Sequence, residues 1–271
     1  MKVMLIAGAR PNFMKIAPLV EELERTPGME FLLVHTGQHY DEKMSDLFFR
    51  QLGIPEPDVN LEVGSASHAV QTAEIMRRFE PVVLEHKPDV VLVVGDVNST
   101  VACGLVAVKL GVTLVHVEAG LRSRDRRMPE EINRIVTDSV STLLFVSEPT
   151  GVTNLRQEGH PSEHIWLVGN LMIDTLARML DKARRPDSAR LDGNFVLVTL
   201  HRPWNVDDER RLREIVTALI RISKERAVVF LPEELHRGIR YASIVVIDFL
   251  WLPLAANIDR TMPIRPDRRG G

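Results

Sequence analysis

The chain has 271 residues, 45% of them hydrophobic and 26% charged, the balance of a soluble globular protein of one large or two small domains. A formal net charge of -3 leaves no basic footprint for nucleic acid and no bias toward an anionic membrane surface. No apolar run approaches the roughly 20 residues of a membrane helix, and the opening MKVMLIAGARPN turns charged too soon for a signal peptide, so a cytoplasmic location is expected.

Val3 to Ala7 is a short apolar run entering GARPNFMK, and strand, glycine-bearing loop and helix in that order open a doubly wound domain. The loop lacks G-x-G-x-x-G spacing, so a nicotinamide or flavin site has no support. Pro11 suits a helix start, and Met14, Ile16, Leu19, Val20 and Leu23 give that helix an apolar face. Phe31 to His35 reads as the second strand, running into TGQHYDEKM, with a helix expected near Met44 to Leu52. The segment GIPEPDVNLEVG, rich in glycine and proline at its start, reads as a surface connection. Helical spacing from Ser65 to His86 has Ser67 as its N-cap.

Val90 to Val94 and Val112 to Val117 are β-branched runs separated by a helical segment, the pattern of buried parallel strands joined by a crossover. The one cysteine, Cys103, falls in that helical segment and reads as a small buried core residue. Each run ends in an acid, Asp96 after the first and Glu118 after the second, and carboxyl ends of strands are where open α/β sheets bind ligands. Glu130 and Glu131 follow Pro129 at a helix start. Leu143 to Ser147 and Ile165 to Gly169 read as further strands, with SEPT expected to cap the helix after the first. Composition turns to Arg, Pro, Asp and Ser around Lys182 to Asp192, a linker-like stretch. Phe195 to Leu200, a helix from Asp208 to Lys224 and Ala227 to Leu231 begin a second unit that no full sheet completes. We assign residues 1–170 to a Rossmann-like domain, 171–231 to a partial nucleotide-binding domain and 232–271 to an irregular tail. The apolar stretch Phe249 to Leu254 would be exposed there and would favour a homodimer.

Arg10 and Lys15 flank the first strand-to-helix turn, where a helix N-terminus already favours an anion, and a guanidinium with an ammonium suits a phosphate. Asp96 and Asn98 in GDVNST either serve a ligand or cap the following helix. Glu118, directly after VTLVHV, should be partly buried and partnered. Desolvation would make it a general acid or base near neutral pH, unless it serves only as an ion-pair partner for Arg122 or Arg134. Glu130 and Glu131 either join the site or only complement the helix macrodipole. His201 and Arg202 leave a strand toward a crevice and suit a phosphorylated ligand. A metal set of His116, Glu118 and His201 lacks any tight spacing, and His35 and His39 are weak as ligands.

In this order, GARPNFMKIAPL, HTGQHYDEKMSD, GDVNST, HVEAGLR, PEEINRIVTD, VGNLMIDTL and VTLHRPWNVDD resemble the motif series of the non-hydrolysing UDP-N-acetylglucosamine 2-epimerases. The resemblance implies an α/β GT-B fold with the sugar nucleotide between two Rossmann-like halves, the second incomplete here. It also implies interconversion of UDP-N-acetylglucosamine and UDP-N-acetylmannosamine by elimination and re-addition of UDP, with no metal or nicotinamide cofactor. By motif position Asp96, Glu118 and Glu130 correspond to the acid/base carboxylates, with His201 assisting at the nucleotide. Arg10 and Lys15 correspond to binding residues, supported by Gln38, His39 and Arg134, with Arg202 beside them.

The resemblance ends at VVF. The H-x-N-P segment and the later D-S-G-G stretch with paired glutamates have no counterpart in LPEELHRGIRYAS or beyond, and Trp204 stands where a small or charged residue is expected. A truncated or frame-disrupted epimerase with impaired activity is therefore expected. The alternative is a catalytically inactive sugar-nucleotide-binding or scaffold remnant. A hydrolysing epimerase and a glycosyltransferase on the same fold are further readings.

Overall fold

The computed structural model describes residues 1–8, 10–37, 49, 52–183, 195–200, 203–231 and 245–247. The chain divides into two compact units, Met1–Lys182 and Ala183–Gly271. The first holds strands β1 (Lys2–Ala7), β2 (Glu30–His35), β3 (Val59–Asn60), β4 (Val90–Val94), β5 (Thr113–Val117), β6 (Leu143–Val146) and β7 (Ile165–Leu167). Its helices are α1 (Arg10–Arg25), α2 (His68–His86), α3 (Asn98–Lys109), α4 (Pro129–Val140), α5 (Pro149–Gln157) and α6 (Leu171–Leu180).

All pairings in this sheet are parallel, in the order β3-β2-β1-β4-β5-β6-β7. Strands β1, β4 and β6 read as near-continuous apolar runs because both faces are covered, whereas Trp166 and Leu167 of β7 are each 56% exposed. Val3, Leu5 and Ala7 of β1, Leu92 and Val94 of β4, and Val115 and Val117 of β5 pack with Phe13, Ile16 and Val20 of α1. The alternate residues Met4, Ile6, Val91, Val93 and Leu114 pack on the other face with Ile75, Phe79 and Val83 of α2 and Ala102, Cys103 and Val106 of α3. The buried Cys103 is thus a core residue, and burial pushes its thiol pKa up.

Ser67 caps α2, its hydroxyl accepting the Val70 N–H at 3.4 Å. The segment read as a surface connection departs from expectation. Its Val59–Asn60 adds a two-residue strand beside β2, and Ile54 and Leu61 are each 6% exposed. The expected SEPT cap is not made through the backbone either: Glu148 occupies the N-cap of α5 with its carboxylate accepting the Thr150 hydroxyl and no helix N–H. Helix α6, placed by the sequence in the second segment, lies in the first unit. It packs on α1, with the Thr175 hydroxyl donating to the Met14 carbonyl at 2.5 Å and Arg178 paired to Glu21.

The second unit contains β8 (Phe195–Thr199), α7 (Pro203–Val206), α8 (Glu209–Ser223), β9 (Ala227–Leu231) and β10 (Val245–Ile247). β8 and β9 are parallel across α8, and β10 runs antiparallel on β9. Asp208 caps α8 by accepting the Arg211 N–H at 2.9 Å. Among the described residues this is a β-α-β unit with one added strand, the start of a second Rossmann-like sheet. The apolar stretch expected to favour dimers, and the helix expected before Leu52, lie outside the described residues except for Phe49 and Leu52. No helix among the described residues is long and apolar enough to cross a membrane.

Candidate functional site

The chain runs from β1 to β3 in one direction and from β4 to β7 in the other, so strand order reverses between β1 and β4. In open α/β sheets ligands bind outside the carboxyl ends of the strands at such a point. The turns after β1 and β4 meet there closely: a Cβ on Gly8 would come within 2.8 Å of the Ser99 side chain. The Asn12 amide of α1 crosses to donate to the Val94 carbonyl at 2.8 Å.

Lys15, one turn further along α1, reaches over β4 to Glu118, with Nζ and Oε2 2.5 Å apart. The side chains are 15% and 12% exposed, so the pair sits at the mouth of the crevice and not in bulk water. Glu118 is partly buried and partnered, but by Lys15 and not by Arg122 or Arg134. Its backbone is left-handed, at φ 69°, which turns the carboxylate back over β4. Gly95 forms the floor: at φ 73°, a Cβ there would lie 3.2 Å from Lys15 Nζ and 3.4 Å from Glu118 Oε2.

Asp96 continues from that floor, and its Oδ2 is 2.5 Å from a guanidinium nitrogen of Arg134. The other arm of Arg134 lies 2.6 Å from Glu131 Oε2. Glu131 is 1% exposed and also accepts the N–H groups of Ser123 and Arg124, both at 2.9 Å. Burial alone would raise its carboxyl pKa, but these backbone donors and Arg134 outweigh it and hold the group below the usual carboxylate range. Neither Asp96 nor Asn98 caps α3. The N-cap is Val97, with no side-chain bond, while Asn98 joins Gln71 at 2.8 Å, His68 at 3.1 Å and Asn133 at 3.2 Å. Glu130 is half-buried and makes no hydrogen bond or ion pair among the described residues. The two neighbouring acids thus differ: Glu131 is a structural anchor and Glu130 is free to meet a ligand.

Beneath Gly95 the His116 ring is fully buried. Nε2 is 2.8 Å from the Gly95 carbonyl and Nδ1 is 2.6 Å from Asp138 Oδ1. With both nitrogens engaged, no lone pair is left for a metal. Asp138 Oδ2 accepts the Gly120 N–H at 3.0 Å and faces Arg122 at 2.7 Å. Burial would raise the Asp138 carboxyl, but the hydrogen bond and charge of His116, with Arg122, hold it low. Arg122 continues to Glu158 at 2.5 Å. A cavity of about 360 Å³ beside Arg122, Arg124 and Glu131 has neither Asp96 nor Glu118 in its lining.

The structure therefore brings Lys15, Asp96, Glu118 and Arg134 to one sheet edge, with Glu130 on the helix that carries Arg134. The Arg10 side chain, Gln38, His39, His201 and Arg202 lie outside the described residues. Sequence reasoning passed over Asn12, Asn133 and Asp138. For Asp138 a signal existed: Glu131, Arg134 and Asp138 stand at i, i+3 and i+7, one face of a helix.

A doubly wound parallel sheet with carboxylates and cations gathered at its switch point, followed by a partial second Rossmann-like sheet, defines a GT-B-like α/β protein. The profile of the UDP-N-acetylglucosamine 2-epimerase family matches residues 21–245, and the chain belongs to that family. It is similar to the UDP-N-acetylglucosamine 2-epimerase of Methanocaldococcus jannaschii, 41% identical over 239 residues, which are 85% of this chain and 65% of that protein. The UDP-2,3-diacetamido-2,3-dideoxy-D-glucuronate 2-epimerase of Pseudomonas aeruginosa is 44% identical over 234 residues, 86% of this chain and 66% of its own. The crystal structure of the Methanocaldococcus jannaschii enzyme in complex with UDP-GlcNAc and UDP superposes with a TM-score of 0.76 at 41% identity, covering 86% of this chain and 66% of that one. The chain thus spans about two thirds of the length of these relatives.

Proposed function

We propose that the chain carries the acid/base half of a UDP-N-acetylglucosamine 2-epimerase site, interconverting UDP-N-acetylglucosamine and UDP-N-acetylmannosamine. The observation that supports this best is the placing of Asp96, Glu118 and Glu130, the last unpartnered among the described residues, around one sheet edge beside Lys15 and Arg134. In the forward direction the C2–H bond breaks and its proton passes to a carboxylate. The freed electron pair forms C1=C2, and the C1–O bond to UDP breaks with its electrons leaving on UDP. In the return step a UDP oxygen attacks C1 and a proton arrives at C2 on the opposite face. Inversion at C2 needs a donor and an acceptor on opposite sides of the ring, so one carboxylate is not enough. Glu130, with no partner among the described residues, is suited to take a proton on one face of C2. Asp96 and Glu118, each held beside a cation, are suited to exchange the proton on the opposite face of C2.

The described part of the site is not built to grip a diphosphate. Four acids, Asp96, Glu118, Glu130 and Glu131, stand against Lys15 and Arg134, and Lys15 is already engaged by Glu118. Phosphate binding in this reading falls to Arg10, Gln38, His39, His201 and Arg202. The enzyme would act in the cytoplasm, where UDP-sugars are made, and as a homodimer. Direct assay of the purified chain with UDP-N-acetylglucosamine tests the reading: formation of the manno epimer supports it, and absence of both turnover and UDP binding ends it.

Two further readings are tested beside it. A catalytically inactive binding remnant would show itself in calorimetry with UDP as binding without turnover. The 44% identity to an epimerase of a diacetamido glucuronate makes a substituted UDP-hexuronate an alternative substrate, so that nucleotide belongs in the same assay.

A further inference from the structure

The roles above leave unused the fully buried charged group beneath the Lys15–Glu118 pair. His116 and Asp138 side chains are both 0% exposed, and Arg122 is 5% exposed. A carbonyl oxygen can only accept, so the 2.8 Å contact with Gly95 requires a proton on His116 Nε2. Nδ1 faces Asp138 Oδ1 at 2.6 Å, and Asp138 already receives the Gly120 N–H and Arg122 on its other oxygen. Those donors keep Asp138 a carboxylate, so the proton between the two groups rides on the ring and both ring nitrogens donate.

Gly95 is where this group meets the site. Its N–H donates to the Val117 carbonyl at 3.0 Å, the Lys15–Glu118 pair covers it at Cβ distance, and Asp96 is the next residue. A left-handed glycine turn has no side chain of its own to fix it. We propose that His116, clamped by Asp138 and Arg122, is a positioning residue whose two ring N–H groups brace the Gly95 carbonyl against α4 and so set the spacing of Asp96 and Glu118. The brace rests on the reading of those two acids as reacting groups only for its catalytic consequence. Its geometry stands without it.

The test uses the whole chain labelled with 15N-histidine, with His116→Phe and Asp138→Asn beside it. The expected spectrum shows protons on both ring nitrogens of His116 in the parent and on only one in Asp138→Asn, whose amide takes over the donor role. A parent ring with a single N–H overturns the proposal. In His116→Phe the amide resonances of Gly95, Asp96 and Glu118 should shift while those of β7 stay. If that variant fails to fold, the same shifts are read in Asp138→Asn. Resonances unmoved at Gly95 and Asp96 overturn it as well. Where the parent turns over a UDP-sugar, kcat of His116→Phe should fall about 10²-fold with KM within about threefold, the mark of misplaced acids and not lost binding. A parent without turnover or UDP binding sinks the epimerase reading alone, because ring protonation and the local shifts still decide the brace.

Discussion

Lys15 Nζ and Glu118 Oε2 stand 2.5 Å apart although one belongs to the helix after β1 and the other to the loop after β5. Only the strand order, which sets β4 between β1 and β5, makes that meeting possible. Replacing Lys15 by Met keeps the aliphatic stem and leaves the Glu118 carboxylate without its partner. We expect a loss of about 1.5–3 kcal/mol in unfolding free energy, the usual range for a hydrogen bond to a charged group. Turnover should fall further than UDP binding. Urea melts and steady-state kinetics check both, and an unchanged melt would mean the pair contributes nothing.

Glu130 and Glu131 provide a paired comparison within one helix turn. Glu131→Gln removes the charge facing Arg134 and weakens acceptance from Ser123 and Arg124, so it should cost about 1–3 kcal/mol of stability. Glu130→Gln touches no such bond and should stay within about 0.5 kcal/mol of the parent, yet abolish epimerisation. The reverse pattern, a destabilised Glu130→Gln that remains active, would exchange the two roles.

Acid stability follows from the depressed carboxyls of Glu131 and Asp138. Groups whose pKa is lower folded than unfolded contribute stability that is complete above their unfolded values, 4.5 and 3.8 here, and lost as pH falls through the folded ones. The parent should therefore lose stability progressively below about pH 4.5. Asp138→Asn should flatten that limb. Asp125, held down to about 2 by Arg127, is a contrast because solvent screens the pair, and its replacement should leave the acid limb nearly unchanged. Melting temperature against pH for the three proteins decides the matter.

Gly95→Ala tests the floor of the site. The left-handed φ of 73° strains any side chain, and the methyl would press within 3.2 Å of Lys15 Nζ. Strain of about 1–3 kcal/mol is expected, with a larger relative loss of turnover than of stability. Full activity in this variant would show that the ammonium and carboxylate can shift without consequence.

The sequence by itself determined Val90–Val94 and Leu143–Val146 of the first sheet nearly to the residue, because both faces are covered there and each of these two is an uninterrupted apolar run. The acids at the strand ends were legible for the same reason: a charge straight after such a run has only the sheet edge to occupy. The two-residue β3 was not legible, since so short a strand carries no period and is defined by its pairing with β2. Nor were the partners: which of Lys15, Arg122 and Arg134 meets Glu118 depends on strand order and on a left-handed turn, and neither leaves a mark in local spacing. The tertiary structure alone decided that Glu131 is an anchor while Glu130 has no partner among the described residues, because helical rotation of about 100° per residue turns neighbouring side chains to different surroundings.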